Sequence, residues 1–297
     1  MNQTAFLLIL ISVFLHAGWN FLSKANRPSA SFYVIVNGIV AVALLPFPLI
    51  AKIAWVQLSW KFWIFFAGSV FFEIIYAIGL FKAYKKNDIS MAYPLMRALP
   101  VLLITAVTYI LNIGKPLTVP GWIGIFIVSL GCIILPQKDV RDINPRNFLR
   151  SVSGAILLAA IGTTGYTLMD KLATAELTLL SQSGSSMTVM AYFCVVEFFI
   201  ALGLLAYVFT LPREIVEFRK CWKTPYPYLC GIFSGAAYVL VLLAMAQVTN
   251  VSYLQAFRQM SLPLGVAAGI FLLHEKVTIP KLLGTVLVVT GLILTVF

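Results

Sequence analysis

The feature that most constrains this chain is a series of long segments without a charged side chain. Such runs occupy residues 1–23, 28–51, 116–137, 151–169 and 224–257. A helix needs about 20 mostly apolar residues to cross a bilayer, and these runs match or exceed that length. Hydrophobic residues make up 61% of the 297 positions and charged residues 10%, against roughly 45–50% and 25% in soluble domains. The sequence therefore predicts an integral membrane protein and excludes a soluble enzyme.

The apolar runs divide into ten predicted membrane-spanning helices. The run 224–257 is too long for one span, and the polar stretch 247–252 divides it. The connections are short, so we expect an all-α integral membrane fold with no soluble domain, and a first helix that is retained rather than cleaved as a signal peptide. We place the helices at 4–22, 31–51, 62–82, 89–111, 119–136, 151–170, 186–210, 226–246, 252–273 and 279–297.

Two parts of the chain repeat one pattern. Residues 118–124 and 278–284 both read T-x-P-x-x-x-G, and each is followed by another glycine seven positions later. We therefore predict two five-helix repeats, at 4–137 and 151–297. Because five is odd, the second repeat enters the membrane from the opposite side, an inverted architecture common in alternating-access carriers. A duplicated but inert scaffold is the alternative.

Three sequence motifs resemble a known transporter family. The first helix contains His16-Ala-Gly-Trp-Asn20, the fourth contains Ala92-Tyr-Pro-Leu-Met-Arg-Ala-Leu-Pro100, and each half ends on a T-x-P boundary followed by spaced glycines. Over nearly its whole length the chain resembles the EamA group of the drug/metabolite transporter superfamily. The resemblance implies a secondary transporter of small metabolites, often an exporter, with both termini inside. We expect a multi-pass protein of a bacterial cytoplasmic (inner) membrane.

Four charged residues fall well inside predicted helices: Glu73, Arg97, Glu197 and Arg258. A charge at the centre of a spanning helix costs roughly 2.5–3.5 kcal/mol on insertion scales, which suggests that these residues have a use. They could form two buried Glu–Arg pairs that fix helix packing, or they could line a transport cavity. Two arginines facing one cavity would bind a carboxylate or a phosphonate through paired hydrogen bonds.

Other polar groups inside the predicted helices extend the candidate site. His16 is either a packed core histidine or, with Glu73 and Glu197, a carrier of a coupling proton. Tyrosine and glutamine side chains often only bridge helices, so each is a weak candidate by itself. The predicted substrate-binding residues are Trp19, Asn20, Tyr76, Tyr93, Arg97, Tyr166, Tyr238, Gln255, Arg258 and Gln259.

The motifs of other function classes are missing from the sequence. It contains no Walker A, HExxH or GxSxG pattern, so we expect no enzyme, no cofactor and no metal site. The net charge of +11 lies in short loops, which argues for contact with the lipid bilayer and against nucleic acid. We predict a secondary-active transporter of a small polar metabolite, amino-acid-like or an organic anion. A non-transporting membrane scaffold or sensor subunit is the alternative, and monomer or homodimer stays open.

The distribution of basic residues gives a conflicting orientation. The connections after the first, third, fifth, seventh and ninth predicted helices hold most of the Lys and Arg residues. The positive-inside rule places those connections in the cytoplasm and both termini outside. This is opposite to what the family resemblance implies, and the sequence leaves both orientations open.

Overall fold

The computed structural model describes residues 3–26, 28–51, 53–86, 89–137, 139–142, 152–180, 185–273 and 276–295. Within these ranges the chain is helical and contains no strand. We number the helices in chain order as α1 Gln3–Ala25, α2 Ala30–Leu44, α3 Pro46–Ile50, α4 Trp60–Lys86, α5 Ile89–Ile110, α6 Val119–Ile134, α7 Gly154–Leu180, α8 Ser185–Phe209, α9 Pro212–Cys221, α10 Tyr226–Met245, α11 Val251–Phe257, α12 Ser261–Leu273 and α13 Ile279–Leu294.

Several helices have the length and composition of membrane spans. Large apolar side chains such as Phe14, Phe21 and Phe126 are exposed on the outside of the helix assembly, where lipid would cover them. The fold is thus consistent with an α-helical membrane protein, as the sequence predicts at this coarse level. Five segments of the described residues are long and apolar enough to cross a bilayer: Gln3–Ser23, Ala30–Ile50, Trp60–Lys85, Ser186–Phe209 and Tyr226–Met245.

Two predicted helices are interrupted, and each interruption lies beside a proline. The predicted helix 31–51 is divided at Leu45, directly before Pro46. The predicted helix 252–273 is divided by a 3₁₀ turn over Arg258–Met260, upstream of Pro263. Proline has no backbone N–H, and its ring clashes with the carbonyl four residues earlier, so it disfavours a regular α-helix at both positions. The interior prolines of α5 do not divide that helix.

Two other predictions missed helical residues. The helix predicted at 151–170 runs as α7 from Gly154 to Leu180, because most residues that follow the apolar run are Ala, Leu, Lys or Glu, which are good helix formers. The connection predicted at 211–225 contains α9, which begins with Pro212 and has Glu214 in its first turn. Arg219 and Lys220 lie in its last turn, the charge order that the helix dipole favours. The sequence prediction therefore left out helical residues at the end of α7 and in α9, because these residues lie outside the apolar runs.

The helices pack in four main pairs, α4 with α7, α6 with α13, α1 with α10 and α2 with α8. Glycines permit close approach in the α6–α13 pair: a Cβ at Gly124 would lie 2.6 Å from the carbonyl oxygen of Gly291. A Cβ at Gly131 would lie 2.8 Å from that of Gly284. The four glycines that the sequence spaces by seven thus form one close helix crossing.

Candidate functional site

A small polar cavity lies at the centre of the helix assembly. Its volume is about 80 Å³, and α1, α2, α4, α5, α7, α8, α10 and the 3₁₀ turn all contribute to its wall. A buried water needs about 10–15 Å³ of such volume, so the cavity has room for a handful of waters. Ten of the sequence-predicted residues line it: His16, Trp19, Asn20, Glu73, Tyr76, Arg97, Tyr166, Glu197, Tyr238 and Arg258.

The other three predicted residues lie elsewhere. Gln255 and Gln259 are fully buried behind the cavity wall and do not line it. The Oε1 atom of Gln255 accepts a hydrogen bond of 3.2 Å from Arg258, so this glutamine supports the arginine instead of facing a ligand. Gln259 bonds back to the backbone of Gln255 at 2.9 Å. The side chain of Tyr93 lies outside the described part of the chain.

One wall of the cavity consists of hydrogen-bond donors that converge on His16. Trp19 Nε1 donates to His16 Nδ1 at 2.8 Å, and Arg258 Nη2 lies 3.4 Å from His16 Nε2. Indole and guanidinium only donate, whereas a neutral imidazole has a single acceptor nitrogen. Trp19 and Arg258 therefore compete for one acceptor nitrogen, and in either tautomer of His16 one of the two contacts brings two N–H groups together.

The side chain of Arg258 is buried and is held in place by several neighbours, one of which is Tyr166. Besides Gln255 and His16, its guanidinium lies 5.8 Å from the ring centre of Tyr238, a cation–π distance. Its Nε atom is buried and has no hydrogen-bond partner among the described residues. The arginine is thus oriented toward the cavity with part of its donor capacity unused.

The opposite charge comes from two glutamates that line the same cavity. Glu73 lies on α4 and Glu197 on α8. Within the described ranges neither carboxylate forms a salt bridge with Arg258, and the Oε2 atom of Glu197 is buried without a hydrogen-bond partner. The pairing of both glutamates with the two arginines, one of the alternatives from the sequence, therefore does not hold for Arg258.

Sequence reasoning missed an aspartate network beside the cavity. Asp170 is buried and accepts hydrogen bonds from Tyr192 at 2.7 Å, from Tyr238 at 2.5 Å and from Ser69. Asp170 was not among the predicted site residues; its three hydroxyl partners lie on α4, α8 and α10, and α7 continues for ten residues beyond it. The network ties α4, α7, α8 and α10 together and fixes the Tyr238 ring that contacts Arg258.

Asn20 connects the first helix to the cavity mouth. Its Nδ2 atom donates to the His16 carbonyl oxygen at 2.7 Å, and its Oδ1 atom accepts a bond of 3.2 Å from Tyr84. Lys171, next to Asp170, donates to the carbonyl oxygens of Met245 and Val248, at 2.8 and 3.3 Å, near the end of α10. These contacts are structural and hold the cavity helices in register.

Comparison with known proteins gives information on the fold alone. No protein-family model matches the chain, and no curated protein matches it. Among solved structures, one crystal structure of a protein superposes with a TM-score of 0.67 over 99% of this chain and 96% of the other, at 15% sequence identity. A likeness at this level of identity shows a shared fold and carries no statement about function.

Proposed function

We propose that this chain is a secondary-active membrane transporter of the EamA type, which moves a small polar metabolite with an anionic group by alternating access. Its two arginines and two glutamates line one polar cavity inside an apolar helix assembly. A scaffold or sensor subunit would be expected to pair such charges in dry helix contacts. The cavity at this position therefore favours a carrier over the scaffold alternative.

The observation that carries the proposal is that two donor-only groups, Trp19 Nε1 at 2.8 Å and Arg258 Nη2 at 3.4 Å, contact the two nitrogens of His16, which has a single acceptor when neutral. Buried donors are nearly always satisfied, so the site lacks an acceptor that a ligand can supply. A carboxylate or phosphonate oxygen would accept from both groups at once, and a guanidinium favours such anions through its fork of N–H groups. We infer that the anionic group of the metabolite binds to Arg258 and His16 from the cavity side, because the 3.4 Å between the two nitrogens leaves no room for an oxygen atom on the line that joins them.

The packing of the helices supports an inverted repeat. If α1 corresponds to α7, α2 to α8, α4 to α10 and α6 to α13, exchanging the halves converts the α4–α7 pair into the α10–α1 pair. The α2–α8 and α6–α13 pairs then map onto themselves, as a pseudo-twofold axis requires. On this proposal α2 with α3, and α11 with α12, each form one spanning segment, which gives ten segments in all.

The size of the cavity fits a closed stage of an alternating-access cycle. Sites for small molecules usually have volumes of about 300–1,000 Å³, well above the 80 Å³ found here. Binding of a metabolite then requires the helices to separate. The interruptions beside Leu45 and at Arg258–Met260, together with Pro94 and Pro100 in α5, are places where the backbone can bend.

For a proton-coupled cycle we propose that the glutamates, and not His16, carry the proton. Protonated imidazole has an N–H on each ring nitrogen, and in His16 these would face the indole N–H on one side and a guanidinium on the other. Glu73 and Glu197 line the same cavity and face no such conflict with Arg258. The three coupling candidates from the sequence thus reduce to two.

A reconstituted transport assay tests the proposal. Purified protein in liposomes should catalyse exchange of a labelled metabolite from a panel of amino acids, organic acids and phosphonic acids. The same panel should raise the melting temperature of the detergent-solubilised protein. If no member of a broad panel is exchanged and none shifts the melting temperature, the transporter proposal fails and the scaffold alternative stands.

A further inference from the structure

A second cavity lies on the outer surface of the helix assembly, away from the polar site. It is a groove of about 640 Å³ between α2 and α8, with Trp222 and Tyr228 at one end. Its lining is almost entirely apolar, from Val34 to Leu45 on one side and from Cys194 to Leu205 on the other. A polar metabolite would find few hydrogen-bonding partners there, so the groove is suited to a hydrocarbon chain.

The length of the groove matches one leaflet of a bilayer. Each wall covers eleven helical steps, which is about 16 Å at 1.5 Å per residue. Half of a hydrocarbon core of about 30 Å is about 15 Å. An acyl chain that enters at the Trp222 end would thus extend along the groove to about the middle of the membrane.

The mouth of the groove carries positive charge. Trp222 also lines an adjoining cavity, together with Phe218, Arg219 and Lys223, at the end of α9. The Trp222 ring is fixed by Phe218, at 5.8 Å between ring centres, and its carbonyl accepts a bond of 3.0 Å from Tyr228. Tryptophan and tyrosine prefer the depth of the lipid headgroups, where basic residues attract anionic lipids.

Each acidic residue of α9 has a lysine partner. Glu214 is buried, accepts a bond of 3.2 Å from the backbone N–H of Ser31 and lies 3.6 Å from Lys85. Glu217 forms a salt bridge of 2.8 Å with Lys220. The contact with Ser31 also fixes α9 at the start of α2, where the groove begins. The charge presented beside Trp222 is therefore that of Arg219 and Lys223.

We propose that this groove is a binding site for an anionic phospholipid, with one acyl chain between α2 and α8 and the phosphate at Arg219 and Lys223. The apolar groove selects the chain, and the two cations select the headgroup. The inference is independent of the transport proposal, because none of these residues lines the polar cavity.

Native mass spectrometry of the purified full chain tests the site with two lipids that share the same dioleoyl chains, phosphatidylglycerol and phosphatidylcholine. The wild type should bind phosphatidylglycerol preferentially. In the double variant Arg219→Gln/Lys223→Gln, the ratio of phosphatidylglycerol to phosphatidylcholine binding should fall about fivefold for each cation removed. Lys61→Gln/Lys82→Gln removes two exposed cations of α4 and should leave the preference unchanged.

A second variant tests the groove itself. A Cβ at Gly38 meets no atom within 4 Å, so Gly38→Phe fills the groove without a backbone clash and should weaken binding of both lipids. Gly154→Phe, at a glycine of equal freedom outside the groove, is the control. The proposal is overturned if both lipids bind the wild type equally, or if Gly38→Phe binds phosphatidylglycerol like the wild type, which would leave only a surface contact with the headgroup.

Discussion

Replacement of Arg258 by lysine is the sharpest perturbation of the proposed anion site. The guanidinium of Arg258 contacts Gln255 at 3.2 Å, lies 3.4 Å from His16 and stacks near Tyr238 at 5.8 Å. A lysine ammonium is a single point charge on a flexible stem, and it cannot occupy these three positions together. The variant keeps the charge and loses the fixed fork of donors.

The expected loss of affinity follows from one charged hydrogen bond. Hydrogen bonds to charged groups contribute about 1.5–3 kcal/mol, which corresponds to a rise of about 10- to 150-fold in the Kd of an anionic ligand. Arg97→Lys should have an effect in the same range, since Arg97 lines the same cavity. Both variants should fold, because the charge and most of the side-chain length remain.

Isothermal titration of the detergent-solubilised protein, with the anionic ligand found in the transport panel, measures this loss. Arg213→Lys, an exposed position on α9, is the matched control and should bind like the wild type. The reasoning is refuted if both cavity variants bind with wild-type affinity. It is refuted equally if a purely cationic ligand such as a quaternary amine is the tight binder.

Three further predictions concern coupling, packing and the aspartate network. If a proton gradient drives uptake, Glu73→Gln and Glu197→Gln should abolish gradient-driven uptake yet retain exchange; full gradient dependence in both would exclude these residues. Gly124→Leu should lower stability by about 1–3 kcal/mol in thermal unfolding, since its Cβ would lie 2.6 Å from a facing carbonyl oxygen. The control Gly154→Leu should not lower it. Equal melting temperatures for the two variants would contradict the close helix crossing. Asp170→Ala should destabilise more than Asp170→Asn, because three buried hydroxyl groups lose their acceptor; equal losses would count against the network.

The sequence predicted the helical, apolar character of the fold because hydrophobic runs of spanning length have few other solutions. It was less informative where tertiary context decides, as at the 3₁₀ turn of Arg258–Met260 and in α9. Both prolines of α5 lie in a continuous helix, whereas Pro263 follows an interruption. The residues next to these prolines do not show which helix will be interrupted. Local composition alone cannot assign a helix boundary that packing determines.

The candidate site followed from the sequence because charges inside apolar helices are rare and tend to face one another. What the sequence could not provide was the contact of His16 with Arg258, which lies 242 residues away in the chain and shares the imidazole with Trp19. Asp170 was not among the predicted site residues, because its hydroxyl partners come from three other helices that only the fold brings to it. Gln255 and Gln259 share a helix face with Arg258, but only the packing shows that they lie behind the cavity wall.

Thiol accessibility on both sides of the membrane tests the central claim most directly. In a variant without the four native cysteines, Ser234→Cys places a small thiol in the cavity wall. Membrane-impermeant maleimide is applied to oriented vesicles from one side or the other, with the lipid-facing Phe126→Cys as the unlabelled control. Alternating access predicts that Ser234→Cys is labelled from both sides. An anionic ligand should raise the labelling rate from one side and lower it from the other. Labelling from one side only, unaffected by any ligand of the transport panel, would contradict it.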